Sequence, residues 1–400
     1  MKLKGAGDPA PDCAVVSDLA DANFLEGDAV HFTVACSGAL STEGARFTVD
    51  GLPAGAAFDA DTRSFAWTTG PADGGRIDLS FSVLPLDDSS DKPDRGTVTF
   101  WVADDPSRAD NVAVSPETYT EEWGLPVVHI ATSAVLNAAT DSEATVTWYG
   151  RDYPTGMQIH GKTSALYPKV SYRLKFTDEE LPIPSWGVTR DHLLLISTFH
   201  DNSYVRQKFT YDLWAAIADY WGQSRLTPRT FFTVVYLNGS YLGLYIGEDR
   251  LDDEWADHLG FERDANLYKA VDPDANCALT DQYGAEKSSL HKGYEKAEGE
   301  PEDDFSDLEA LVEFTGNSSP EAIISGSPDW IDLNEWMDAL ALLFYANGED
   351  SYVKNLYLHH AYDRWAAARE EDADWTDYEG EKAYVYAWVA ERATHFNERQ

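Results

Sequence analysis

Residues 159–208 read IHGKTSALYPKVSYRLKFTDEELPIPSWGVTRDHLLLISTFHDNSYVRQK, and the reading of this stretch decides the fold of most of the chain. A Gly/Thr/Ser turn and a Pro-Lys step lead into SYRLKF, whose alternating apolar and polar residues are those of a strand with one buried face. LLLISTF follows. Asp201 or Ser203 then stands where a side chain would accept from the free amides opening a helix over 202–220. The basic residues gathered here stand out in a chain with 30 Lys+Arg against 70 Asp+Glu. Such a concentration of cations suits an anionic ligand, phosphate first, although a merely solvated basic strand and helix would share the composition.

Within the stretch, residues 156–163 read GMQIHGKT and satisfy the phosphate-binding pattern G-x-x-x-x-G-K-[ST]. That loop works by opening a helix whose N-terminus faces the phosphates. Here Pro168 follows within five residues and the chain runs on as a strand, so the context is wrong for it.

The surrounding chain has 400 residues, long enough for two or three domains, and 43% of them are hydrophobic, ample for folded cores. A formal net charge of -40 argues against nucleic-acid or anionic-membrane partners. No apolar run reaches the length of a membrane span, and MKLKGAGDPAPDC lacks the apolar centre of a signal peptide. The protein is therefore expected either in the cytoplasm or exported by a signal outside this chain. Three cysteines make no disulfide framework; Cys13 and Cys36 are candidates to pair, leaving Cys277 odd.

From about Cys13 to Ala103, short alternating runs such as AVHFTVAC, RIDLSFSVL and GTVTFWVAD are separated by turn residues, the pattern of an antiparallel sandwich. FDADTR in this part lacks the glycine and distal glutamate of a calcium loop and reads as a turn. Polar, Pro-containing residues 105–123 read as a linker. Beyond it, LPVVHIAT, ATVTWYG and the hairpin FFTVVYLNGSYLGLYIGED are strand-like, with Asn238-Gly239 the strongest turn signal. The polar region 272–304 reads as loop, and the residues from Asp329 carry Trp330, Leu333, Trp336, Leu340 and Phe344 at helical spacing. After that helix, Asp350 and Asn355 in GEDSYVKNLYLHH are five apart. An Asp and Asn so spaced can serve as base and metal ligand in phosphoryl transfer, though the bare pair is common in helix-terminal turns.

Taken in order, LPVVHIAT, the GKTS turn with PKVSYRLKF, LLLISTFHDNSYVRQKFTYDL, VVYLNGSYLGLYIGED, NLYKA and DSYVKNLYL resemble the spore coat protein H (CotH) kinase family. GLPAGAAFDADTRSFAWTTGPADGG resembles the immunoglobulin-like domains of bacterial surface proteins. These resemblances imply an α+β, atypical protein-kinase-like domain over 124–400 preceded by a small all-β immunoglobulin-like sandwich over 11–104. They imply a protein serine/threonine kinase, secreted or surface-associated, using ATP with Mg2+ or Mn2+ on a protein substrate. Asp350 would be the base; Lys169 or Lys175 would contact phosphates, with Lys175 favoured for its place in the strand beside Arg173; Arg206 and Glu248 would support them; Asn355 and Asp374 would hold the metal. The chain departs from the family at His160-Gly161, at Val170, and after Asn355, where the Trp-Asp-x-Asp segment is absent and Asp363, Asp372 and Asp374 fall nearby. That departure, in a divergent or truncated C-terminal part, leaves a non-catalytic kinase-like surface or adhesion module as the alternative.

Overall fold

The computed structural model describes residues 13–360, apart from 88–91, 106, 108–112, 222–225, 261–262, 264, 328–329, 332 and 347–354. Packing divides the chain into two compact units. One takes residues up to Val135 with Glu143–Thr155 and Phe232–Leu244; the other takes Leu136–Ser142, Gly156–Phe231 and the chain from Tyr245.

The first unit opens with β1 (Ala14–Ser17), β2 (Asn23–Leu25), β3 (Ala29–Ser37), β4 (Ala45–Asp50), β5 (Ala57–Asp59), β6 (Ser64–Thr68), β7 (Gly75–Pro85) and β8 (Asp94–Ala103). They form two four-stranded sheets, ordered β1-β3-β6-β5 and β2-β8-β7-β4, around one core. Alternation drives this arrangement: Val30, Phe32 and Val34 of β3 turn inward with Leu79, Phe81 and Val83 of β7, and the residues between them turn away. Phe32 stacks on Phe65 at 4.9 Å, and Phe100 meets Phe32 edge-on at 6.3 Å. Truncating Phe100 to alanine in so dense a cluster would cost about 3–5 kcal/mol. Cys13 and Cys36 are disulfide-bonded, which ties the entry of β1 to β3. The Asp59 carboxylate accepts from the amides of Asp61 (2.9 Å) and Thr62 (3.0 Å), so the acids of FDADTR shape the β5–β6 turn.

Further along the chain come β9 (Glu121–Glu122), β10 (Leu125–Ala131), β11 (Ser142–Trp148), β12 (Arg151–His160), β13 (Ser171–Phe176), the small hairpin β14 (Leu181–Ile183) and β15 (Val188–Arg190), β16 (His192–Ile196), α1 (Arg206–Trp221), β17 (Thr230–Leu237) and β18 (Ser240–Glu248). Strand order β11-β12-β13-β16-β18-β17-β10-β9, with a further β11–β10 pairing, closes seven of these strands into a barrel. β10 is the closing strand, antiparallel to β11 (Val128↔Trp148) and parallel to β17 (Val127↔Val234). The hairpin between β17 and β18 turns at Asn238 (φ 51°) and Gly239 (φ 77°), the left-handed pair of a tight two-residue turn.

The second unit continues with α2 (Asp253–His258), β19 (Asn266–Ala270), β20 (Tyr294–Glu298), α3 (Ser306–Asn317), α4 (Pro320–Gly326), α5 (Leu333–Ala346) and β21 (Tyr357–His360). A small sheet, β20-β19-β21, shares a core with the helices through Tyr211, Trp214, Trp255, Leu267, Leu342, Leu343 and Tyr357. Arg190 is completely buried, with Nε 2.8 Å from Asp249, Nη2 2.6 Å from Asp252 and Nη1 3.0 Å from Glu254.

The described residues are thus mostly β, where the resemblance implied an α+β domain. The apolar runs between 125 and 248 pair with one another around a ring, with α1 between β16 and β17. Two local expectations also shift. The helix expected over 202–220 begins at Arg206, because Asp201 uses its carboxylate to bend the preceding loop. The polar region 272–304 contains strand β20, paired to β19.

Candidate functional site

The site lies in the second unit, where the loop between β12 and β13 meets the loop between β16 and α1. Gly161 sits at φ 101°, and a Cβ there would lie 2.0 Å from Ser164 Oγ, so the turn requires glycine. A short 3-10 turn, Thr163–Leu166, follows it. Gly156 is inside β12, so the G-x-x-x-x-G-K-T pattern straddles a strand and opens only that short 3-10 turn, not an α-helix. Tyr167 then stacks on Phe199 at 5.7 Å and meets His200 edge-on at 4.0 Å, clasping the two loops together. His160, Ser164, Tyr167, Ser197, Thr198 and Gln207 are among the residues lining the pocket that results.

The backbone at Lys169 and Val170 is pinned from two sides. Ser197 Oγ donates to the Lys169 carbonyl (3.0 Å), and Tyr245 O–H donates to the Val170 carbonyl (3.1 Å). This sets the Lys169 ammonium over two rings, 4.8 Å from the centre of Tyr204 and 4.4 Å from that of Tyr245. Burial pushes its pKa down to about 8, so the ammonium is half-desolvated and still charged at neutral pH. Tyr204 reaches its position through a left-handed backbone (φ 58°).

At the start of α1, the Asp201 carboxylate accepts from the amide of Ser203 (3.0 Å), its hydroxyl (2.6 Å) and the Arg206 amide (2.8 Å). Burial alone would raise Asp201, yet these hydrogen bonds hold its carboxyl below the usual range. The next residue along, Gln207, is buried and donates to Glu248 Oε2 at 2.8 Å and to Tyr211 at 3.1 Å. Lys169, Arg206 and Glu248 therefore belong to one neighbourhood organised by α1 and the end of β18. Lys175 lies elsewhere, on the exposed side of β13 and in register with His192. Arg173, expected to share its face, pairs with Asp141 at 2.8 Å. Asn355 enters β21 with a left-handed backbone (φ 55°) and its amide donates to Ala270 (2.8 Å). Asp350 and Asp374 lie outside the described residues. Sequence reasoning missed Gln207, Tyr204 and Tyr245. Gln207 had a signal, since it and Tyr211 are polar groups four apart on the face of α1 that turns inward.

A second cluster, Asp191, His192 and Asp252, brings three possible metal ligands within 4.8 Å of one another. It does not fit magnesium or manganese. Arg250 Nη1 already lies 3.0 Å from His192 Nε2, and Arg190 Nη2 lies 2.6 Å from Asp252 Oδ1, so guanidinium groups fill the place of a cation.

The loop, strand and helix of this site all lie in the segment that a family model covers: the CotH kinase protein model matches residues 157–388, more than half of the chain. The chain belongs to the CotH kinase family. Inner spore coat protein H of Bacillus subtilis (strain 168) is 28% identical over 197 residues, 49% of this chain and 51% of that protein. The chain thus spans about half the length of the curated relative it matches. Among solved structures, an α-galactosidase/melibiase of Bacteroides fragilis aligns over 30% of this chain and 19% of its own at 11% identity, with a TM-score of 0.16. An endo-fucoidan hydrolase of glycoside hydrolase family 107 aligns over 44% and 28% at 12% identity, also with a TM-score of 0.16. Likeness at that level bears on neither the fold nor the chemistry of this CotH kinase family member.

Proposed function

We propose that the chain is an atypical protein kinase that transfers the γ-phosphoryl group of ATP to Ser or Thr of a protein partner. The observation that carries this reading is Lys169: an ammonium half-withdrawn from water, held by two tyrosine rings beside a pocket, in a chain otherwise rich in carboxylates. A desolvated ammonium binds phosphate oxygens more strongly than a solvated one. Lys169 would hold the phosphates in line for attack, with Arg206 at the opening turn of α1 adding charge. Glu248 would act through Gln207, fixing the first turn of α1. Asp350 would accept the proton of the attacking hydroxyl as its oxygen bonds to phosphorus and the β–γ bridging oxygen leaves with the bonding pair. A divalent cation would supply neutralisation of phosphate charge; Asn355 and Asp374 are the residues proposed to hold it.

Residues 11–104 are read as an immunoglobulin-like module, 105–123 as a linker and 124–400 as the kinase-like domain. The curated relative is by name a spore coat protein, which supports a spore-coat or cell-surface location. The Cys13–Cys36 disulfide supports export, since such bonds persist in oxidising compartments. Among the described residues no helix is long and apolar enough to cross a membrane.

Incubation with labelled ATP and Mg2+ or Mn2+ tests the reading, with autophosphorylation or transfer to a coat protein as the expected outcome. The absence of a Trp-Asp-x-Asp segment after Asn355 favours a second reading, a kinase-like binding module. ATP binding without any transfer would select it.

A further inference from the structure

Within the first unit, three carboxylates are buried together. Glu26 follows β2, Asp104 follows β8 and Glu122 is on β9, and their relative exposures are only 2%, 6% and 1%. Tyr119 donates to Glu122 Oε2 (2.8 Å) and accepts from the Asp104 amide (3.1 Å). Tyr236, on β17, lies 3.2 Å from Asp104 Oδ2 and 3.0 Å from Glu122 Oε2. The Glu26 amide donates to the Ala103 carbonyl (3.1 Å), which brings Glu26 beside Asp104, and a Cβ placed on Gly74 would meet both the Tyr119 ring (2.7 Å) and Glu26 Oε1 (3.2 Å).

Counting protons shows what this arrangement demands. An ionised carboxylate only accepts, so carboxylates crowded together out of water repel one another unless one of them holds a proton. Tyr236 has a single hydroxyl proton and two carboxylate neighbours, so it cannot donate to both at once.

We propose that this knot is a proton-dependent latch: it holds β2 and β8 to β9 and β17 while the buried Glu26 keeps its proton beside Asp104, and loosens when that proton leaves. Burial, and then the charge of Asp104, push Glu26 up to about 7. Its folded pKa exceeds its unfolded one, so its contribution is present in full below the ordinary glutamate range and is lost as pH rises through about 7. The other groups facing the knot do not reverse that sign. The backbone at Asp105 and Gly74 opposes the rise of Glu26 without outweighing burial. His129, on β10, donates from Nε2 to the Tyr119 carbonyl (2.7 Å), and burial lowers its pKa, so it weakens the region only on the acid side. Tyr241, on β18, is raised by burial and by Glu122 and Asp104. Arg76 lies outside the knot, 3.6 Å from Glu121 and half exposed.

Hydrogen exchange on the full chain, expressed as protection factors between pH 6 and 9, tests the latch. In the wild type, protection around Glu26, Asp104 and Glu122 should fall by up to about tenfold per pH unit above pH 7, the limit for release of one proton. Glu26→Gln, whose amide donates to Asp104 without titrating, should stay flat. A flat wild type, or a Glu26→Gln protein that loses protection as steeply, overturns the proposal. If that variant fails to fold, the carbon-13 titration of the Glu26 carboxyl in the wild type decides. A midpoint of about 6 or above supports the latch, and a lower one refutes it.

Discussion

Replacing Lys169 with methionine keeps the length of the side chain and removes its charge. The ammonium lies 4.4 and 4.8 Å from two ring centres, and each such contact in a half-buried place contributes about 1 kcal/mol. Methionine recovers part of that by packing against the same rings, and the desolvation of the charge disappears. The net change in stability should therefore stay within about 1 kcal/mol. A charged hydrogen bond to phosphate contributes about 1.5–3 kcal/mol, so Kd for ATP should rise roughly 10- to 150-fold. Titration calorimetry with ATP at pH 7, with a thermal melt as control, measures both quantities. Lys175→Met, on the exposed side of β13, should change Kd by less than about twofold. Since burial holds Lys169 at about 8, wild-type affinity should decline between pH 7 and 9, and that decline should vanish in Lys169→Met. A Lys169→Met protein that melts normally and binds ATP as well as the wild type would refute the placement of phosphate here.

Arg190→Met removes the buried cation from Asp252 and one of two guanidinium partners from Asp249, which keeps Arg229 at 2.8 Å, and should cost about 3–5 kcal/mol in urea unfolding; a cost below 1 would contradict the ion-pair geometry. Cys36→Ser opens a loop of 23 residues' separation and should cost about 3 kcal/mol under oxidising conditions, with reduced wild type behaving alike. Asp350→Asn should abolish phosphoryl transfer while leaving ATP affinity within about twofold, measured by radiolabel transfer beside calorimetry.

What the chain disclosed beforehand was local. The alternation of β3 and β7, the Asn238-Gly239 turn and the glycine at 161 are each set within a few residues, so their patterns survive in the text. The barrel did not show, because its register joins strands with no shared signature: β10 reads the same whether it pairs with β11, with β17 or with both. Lys175 looked the better phosphate ligand for its place in a strand beside Arg173. Only three-dimensional packing gives Arg173 to Asp141 and brings Tyr204 and Tyr245 around Lys169. The delayed start of α1 has a similar origin. The sequence offers Asp201 or Ser203 to open the helix, but the Asp201 carboxylate bonds Ser203 as well as the Arg206 amide, and Tyr204 is turned left-handed in between.

The parallel seam between β10 and β17 also governs when the molecule can form. Thr233 Oγ1 donates to the Pro126 carbonyl across 107 residues, and the Val127↔Val234 register lies beside it. During synthesis or export β10 emerges early and must wait for β17. Through that interval one of its edges stays unpaired, open to any other extended chain. Loop closure over such a distance is slow compared with hairpin formation, so ring closure should be the late, rate-limiting event in folding. A helper that shields the sequence LPVVHIA until the Asn238-Gly239 hairpin arrives would raise the yield of native protein without changing its stability.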